Sequence, residues 1–109
     1  MISRLKGQRI DTWIQGIKHG FVIECSGVGY EVQVLKRELT SFKNSGEIIL
    51  WTHQVQRDDG FSLYGFQKKK ERDLFRTLIG VSGVGPQIGI ALLEPVSYTH
   101  LTLPTILRV

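Results

Sequence analysis

The chain has 109 residues, 41% of them hydrophobic and 22% charged, enough for one modest core and a small appendage but not for two full domains. Its formal net charge of +4 suits a polyanionic partner without establishing one, because many basic proteins bind nothing acidic. Cys25 is the only cysteine, which excludes an intramolecular disulfide and a cysteine-rich zinc site.

Neither a charged start leading into an apolar run nor a bilayer-length apolar stretch occurs, so a cytosolic protein with no membrane partner is expected. The first two-thirds of the chain is written in period two. Met1 to Leu5 and Thr12 to Ile17 are candidate strands, and Phe21, Ile23 and Cys25 share one face of a third, where Cys25 is expected as a small buried hydrophobe. Ser26-Gly27-Val28-Gly29 supplies a turn or bulge before Tyr30, Val32 and Val34 alternate with Glu31 and Gln33, a pattern that predicts a curved hairpin.

A polar stretch from Lys36 to Glu47 carries the turn signal Lys43-Asn44-Ser45-Gly46. Strands are then predicted over Ile48 to His53 and Phe61 to Phe66. Five or six short strands with glycines at the corners point to a small closed barrel, since closure removes edges that short strands leave unpaired. An OB-fold barrel over residues 1–66 is the expected architecture, and an SH3-like barrel is the alternative.

At Gln67 the period changes. Leu74, Phe75, Leu78 and Ile79 form an apolar helical stripe behind the charged run Lys68 to Asp73. That helix is expected to stop at Gly80, with Val81-Ser82-Gly83-Val84-Gly85 as a tight turn and Pro86 opening a second helix to about Leu93, apolar through Ile88, Ile90, Ala91 and Leu92. Two helices joined by Gly-Val-Gly form a helix-hairpin-helix segment, expected over residues 67–95.

This turn is the strongest chemical signal in the chain. Gly83 and Gly85 leave main-chain N–H groups uncovered at a helix N-terminus, where unpaired donors and the helix dipole favour a phosphate oxygen. Such a site grips a phosphate backbone without reading bases; the segment around it comprises Ser82, Gly83, Val84, Gly85 and, past Pro86, Gln87, with Val84 available as the apolar plug between the helices. The plainer account is that Gly-Val-Gly-Pro only ends one helix and begins another.

Arg57-Asp58-Asp59-Gly60 sits between two strands and reads most simply as a solvated turn. Functionally, Asp58 and Asp59 on a DNA-facing surface would repel phosphates and could wedge strands apart. Lys68, Lys69 and Lys70 suit a solvated helix start, and Arg72 and Arg76 could pair with Glu71 and Asp73. His19, His53 and His100 lack metal-ligand spacing, and no nucleophile and base pair, Walker lysine loop or paired-carboxylate motif occurs, so no catalytic site is expected.

Met1-Ile2-Ser3-Arg4-Leu5-Lys6-Gly7, Gly27-Val28-Gly29-Tyr30-Glu31-Val32, Arg57-Asp58-Asp59 with Leu63-Tyr64-Gly65-Phe66, Leu74-Phe75-Arg76 and Gly83-Val84-Gly85-Pro86 together resemble the RuvA family, in order and at its spacing. The resemblance covers residues 1 to about 94. It implies an OB-fold domain followed by a helix-hairpin-helix domain, in a subunit that binds four-way (Holliday) junction DNA as a homotetramer in bacterial recombination and repair.

Hairpin amides would hold duplex phosphates, and Asp58 and Asp59 would be the acidic pin. The resemblance further implies a RuvB motor as partner, to which ATP and magnesium belong, so no cofactor is expected here. Gln87 stands where many relatives carry a lysine, which would weaken phosphate attraction while leaving the amides. Against that family pattern the chain is expected to be an N-terminal fragment with a truncated second domain.

Residues 96–109 are expected to be a foreign tail, because Val96 to Thr105 resembles the translation of a sequencing adapter; a short strand or an unstructured end is the alternative. Two rival functions remain open at this stage. A general single-stranded DNA-binding OB module would need exposed aromatic platforms, with Trp51, Tyr64 and Phe66 as candidates, and a protein-interaction barrel would bind no DNA in a salt-dependent way.

Overall fold

A computed structural model describes residues 1–41 and 46–95. Most of the Lys43-Asn44-Ser45-Gly46 turn, His100 and the 96–109 tail lie outside the described residues. Five strands, β1 (Arg4–Gln15), β2 (Lys18–Cys25), β3 (Val28–Val34), β4 (Glu47–Arg57) and β5 (Gly60–Phe66), close into one barrel in the order β1-β2-β3-β5-β4. All neighbours run antiparallel except β3 and β5, which pair in parallel through Val32 to Val34 and Leu63 to Gly65. This is the OB arrangement, and it decides against the SH3-like alternative.

The separate strands expected at Met1 to Leu5 and Thr12 to Ile17 are one continuous β1, which ends at Gln15. Its first part pairs with β4 from Arg4 to Gln8, its second with β2 from Gln8 to Gln15, and a register shift between Arg9 and Asp11 lets it bend from one neighbour to the other. The apolar alternation lapses at Gly7 for a steric reason. A Cβ there would stand 2.1 Å from the carbonyl oxygen of Glu24 and 2.9 Å from Cys25 Sγ, so the buried position that closes the barrel has no room for a side chain.

Between β2 and β3, Ser26 and Gly27 both take positive φ, 51° and 85°, the mirror-image turn that matches the right-handed twist of a hairpin. Leu5, Phe21, Ile23, Val32, Val34, Ile48, Leu50 and Leu63 fill the barrel. Cys25 is half-buried against that core, and burial pushes its thiol above the ordinary range, which disfavours the reactive thiolate.

Beyond a single turn of helix, α1 (Glu38–Ser41), the chain returns to the barrel and then enters α2 (Lys69–Ile79) and α3 (Pro86–Leu93). Glu71 begins α2 by accepting the N–H of Lys68 at 3.3 Å, and Gly80 ends it as expected. A second core joins the helices to the barrel wall: Leu35, Tyr64, Phe66, Phe75, Ile90 and Leu93. The Phe75 ring lies 5.3 Å from that of Tyr64 and 5.1 Å from that of Phe66, so β5 is covered on both faces.

The face that α3 buries is narrower than its composition implied. Gly89, Ile90 and Leu93 are buried, whereas Ile88 and Leu92 stay exposed and Ala91 with them, because only one side of this helix meets α2 and β5.

Polar contacts reinforce the seam. Arg37 donates to Glu71 and to the carbonyls of Leu93 (3.3 Å) and Glu94 (2.8 Å), placing a cation at the C-terminal end of α3. The Glu94 carboxylate accepts the N–H of Lys36 at 3.0 Å. Arg72 donates to Ser3 O at 2.8 Å and pairs with Asp73, while Arg76 donates not to an acid but to His53 Nδ1 at 3.1 Å.

Replacing Gly7 with Ala should cost about 1–3 kcal/mol of unfolding free energy or prevent folding, since backbone rather than a mobile side chain must give way; chemical denaturation that finds G7A as stable as the parent would refute the packing account. His53 titrates below its ordinary 6.5, through burial first and then the charges of Arg76 and Arg72. The unfolded chain therefore binds the extra proton more readily, and stability present above pH 6.5 should decline as pH falls below it. Melting curves over that range should be flatter for H53Q than for the parent, and identical slopes would show that His53 is not the source.

Candidate nucleic-acid interface

Two elements selected from the sequence are placed as local devices with different chemistry. Asp58 and Asp59 form the whole connection between β4 and β5, because Arg57 is paired with Gly60 across it. Both are exposed, and among the described residues neither carboxylate has a cation within ion-pair distance. The base of the turn is braced from its own strands. Gln56 Nε2 donates to Gly60 O at 3.1 Å, and Arg57 donates through Nε to Ser62 Oγ at 2.7 Å and through a terminal nitrogen to the Tyr64 hydroxyl at 2.9 Å. Two uncompensated negative charges thus stand on a stiff two-residue tip.

The second element is the turn between α2 and α3. Gly83 holds φ at 86°, a conformation that L side chains rarely adopt, and this reverses the chain so that α3 starts at Pro86. Among the described residues, the N–H groups of Ser82, Gly83, Gly85, Gln87 and Ile88 have no backbone acceptor, and no side chain caps α3. Val84 departs from the expected set: its N–H already donates to Val81 O at 3.0 Å, so its contribution is the half-buried side chain rather than the amide. A row of free donors at a helix start is a site for an anionic oxygen.

Gln87 supplies an amide to this row, but its side chain points to other work. It exchanges hydrogen bonds with Gln33 of β3 at 2.9 and 3.0 Å and reaches the Tyr64 hydroxyl at 3.5 Å. The start of α3 is thereby tied to the barrel, and the same Tyr64 oxygen also receives Arg57 from the acidic turn. Pattern reading missed this link, as it missed Arg37, because polar partners 54 and 34 residues apart leave no periodic trace.

Aromatic platforms distribute differently from the candidates. Tyr64 and Phe66 are buried at 1% and 0% exposure, and the Trp51 ring is engaged by the guanidinium groups of Arg4 and Arg72 at 5.4 and 5.3 Å. Among the described residues the exposed aromatic ring is Phe61, beside the acidic turn, at 50%. Its parity matches inward-facing Leu63, but it lies past the end of the barrel, which alternation alone does not register.

Among the described residues, no group of three or more His, Cys, Asp or Glu side chains could hold a metal ion. Of the lysines at the start of α2, Lys69 pairs with Asp73 at 2.9 Å, which keeps that carboxyl below its usual range.

Residues 1–65 match the family described as RuvA N terminal domain. A protein of Prochlorococcus marinus (strain MIT 9313), named Holliday junction branch migration complex subunit RuvA, is 58% identical over 95 residues, which cover 86% of this chain and 42% of that protein. A protein of the same name from Synechococcus sp. (strain CC9311) is 54% identical over 101 residues, 93% of this chain and 46% of that one. The chain therefore spans less than half the length of these relatives. With an OB-type barrel, an acidic β4–β5 turn and a glycine hairpin at the start of α3, it belongs to the RuvA family.

Proposed function

We propose that this chain is the junction-recognising part of a branch-migration complex, a non-catalytic module that holds four-way DNA open while a separate ATP-dependent motor moves it. The observation that carries the reading is the row of unpaired amides at Ser82, Gly83, Gly85, Gln87 and Ile88, a phosphate cradle that grips any duplex arm without reading its bases. The names of the relatives point to the same role.

In this reading the exposed Asp58 and Asp59 stand where strands exchange. Among the described residues neither carboxylate has an ion-pair partner, so they repel passing phosphates and favour a separated, open crossover over a stacked one. The resemblance to the family supports four copies arranged around one junction, a RuvB partner and a bacterial cytoplasmic setting. ATP and magnesium would act on that partner, and the residues described here offer recognition and geometry.

The folding of helices onto the barrel gives the proposal its mechanical content. The acidic tip is braced through Arg57 to Tyr64, and the hairpin through Gln87 to the same tyrosine, so grip and wedge keep a fixed relation.

Competition among four-way, duplex and single-stranded DNA of equal length is the discriminating experiment, read across a salt series. A junction module prefers the four-way species and loses affinity steeply with salt. Preference for single strands would favour a general OB module, and salt-independent or absent binding a protein-interaction barrel. In the same assay D58N with D59N should reduce the preference for the open junction while retaining duplex affinity; unchanged preference would remove the pin role.

A further inference from the structure

Beside the acidic turn the barrel end opens into a cleft of about 180 Å³ whose lining includes Trp13, Lys18, Glu31, Arg57, Phe61 and Tyr64. It is smaller than the roughly 300–1,000 Å³ of sites that enclose whole drug-sized ligands, so a single planar ring is the scale it suits. Trp13 is a fixed wall, since its indole N–H donates to Phe21 O at 3.2 Å. Phe61 is half exposed and is the second residue of β5 after the turn.

Arg57 supplies the polar floor. Its guanidinium is immobilised by Ser62 and Tyr64, which use two of its five N–H donors and leave three for a ligand. Lys18 adds a second cation, and Glu31 an acceptor for a ring or exocyclic N–H. Aromatic walls, cations and one carboxylate acceptor match a nucleotide better than a peptide or an aliphatic ligand.

We infer that this cleft receives an unpaired nucleobase, stacked on Phe61, from a strand parted at the Asp58-Asp59 tip. The inference deepens the DNA-binding reading and rests on it. An unpaired base has lost its stacking partners, and an exposed ring next to the point of separation replaces them, so the cleft would favour the opened crossover. The acidic tip repels phosphates while Arg57, next to it in the chain, and Lys18, which lines the same cleft, attract them, which would direct the strand into the cleft instead of across the tip.

The test is titration of the isotopically labelled chain with a short oligothymidylate, followed by its tryptophan indole signals, with a blunt duplex as control. The expected result is a saturable shift of the Trp13 indole with the single strand but not the duplex, while Trp51, beneath Arg4 and Arg72, stays in place. Phe61→Ala and Phe61→Leu should weaken that binding about tenfold, and Phe61→Trp should keep it within about twofold. No saturable shift at Trp13, or unaltered affinity in both F61A and F61L, overturns the inference.

The outcome is independent of the junction competition. Loss of four-way preference with cleft binding intact would reject the junction reading alone, and the converse would reject the cleft alone.

Discussion

The packing of Phe75 against Tyr64 and Phe66 is the contact on which the rest of the molecule depends. It turns β5 into a strand buried on both faces, with Leu63 facing the barrel core and Tyr64 and Phe66 facing the helices. Without it α2 and α3 would be short helices with no partner, too short to persist alone in water. With it, the hydroxyl of Tyr64 emerges at the edge of an apolar cluster, where Arg57 and Gln87 both find it. A hydrophobic contact thereby sets the relation between an acidic tip and an amide cradle.

Part of the chain's positive charge is engaged within the fold. Arg37 is bound to Glu71 and to the end of α3, Arg72 to Ser3 and Asp73, and Arg76 to His53. These guanidinium groups hold helices to barrel. What the hairpin offers a phosphate is therefore neutral donors and a helix terminus rather than a basic patch, in keeping with Gln87 at a position where a lysine would add charge. Contacts of that kind would position a duplex and carry no sequence information.

Much of this was legible in the residues. Gly83, Gly85 and Pro86 marked the hairpin because few other residues can reverse a chain and reopen a helix, and alternation marked β2 and β3 because each has one face in the barrel core; β4 was expected only from Ile48 to His53, and its continuation to Arg57 was hidden by polar residues that pair with β5 beyond the core. The continuity of β1 was not legible: at Gly7 the buried position is filled by the backbone of β2, so the apolar signal vanishes where the strand is most constrained. Nor could alternation reveal that Val84's amide is already used, that Gln33 and Gln87 meet, or that Phe61 stands outside the barrel. Each depends on a partner distant in sequence or on the direction of a single N–H.

In the proposed function, main-chain amides at the start of α3 grip DNA phosphate, and titration with duplex DNA followed at each amide reads that grip residue by residue. Salt-reversible downfield movement is expected at Ser82, Gly83, Gly85, Gln87 and Ile88, with Val84 moving least because its N–H is bonded to Val81. Shifts concentrated on the lysines at the start of α2, with the hairpin unmoved, would contradict it.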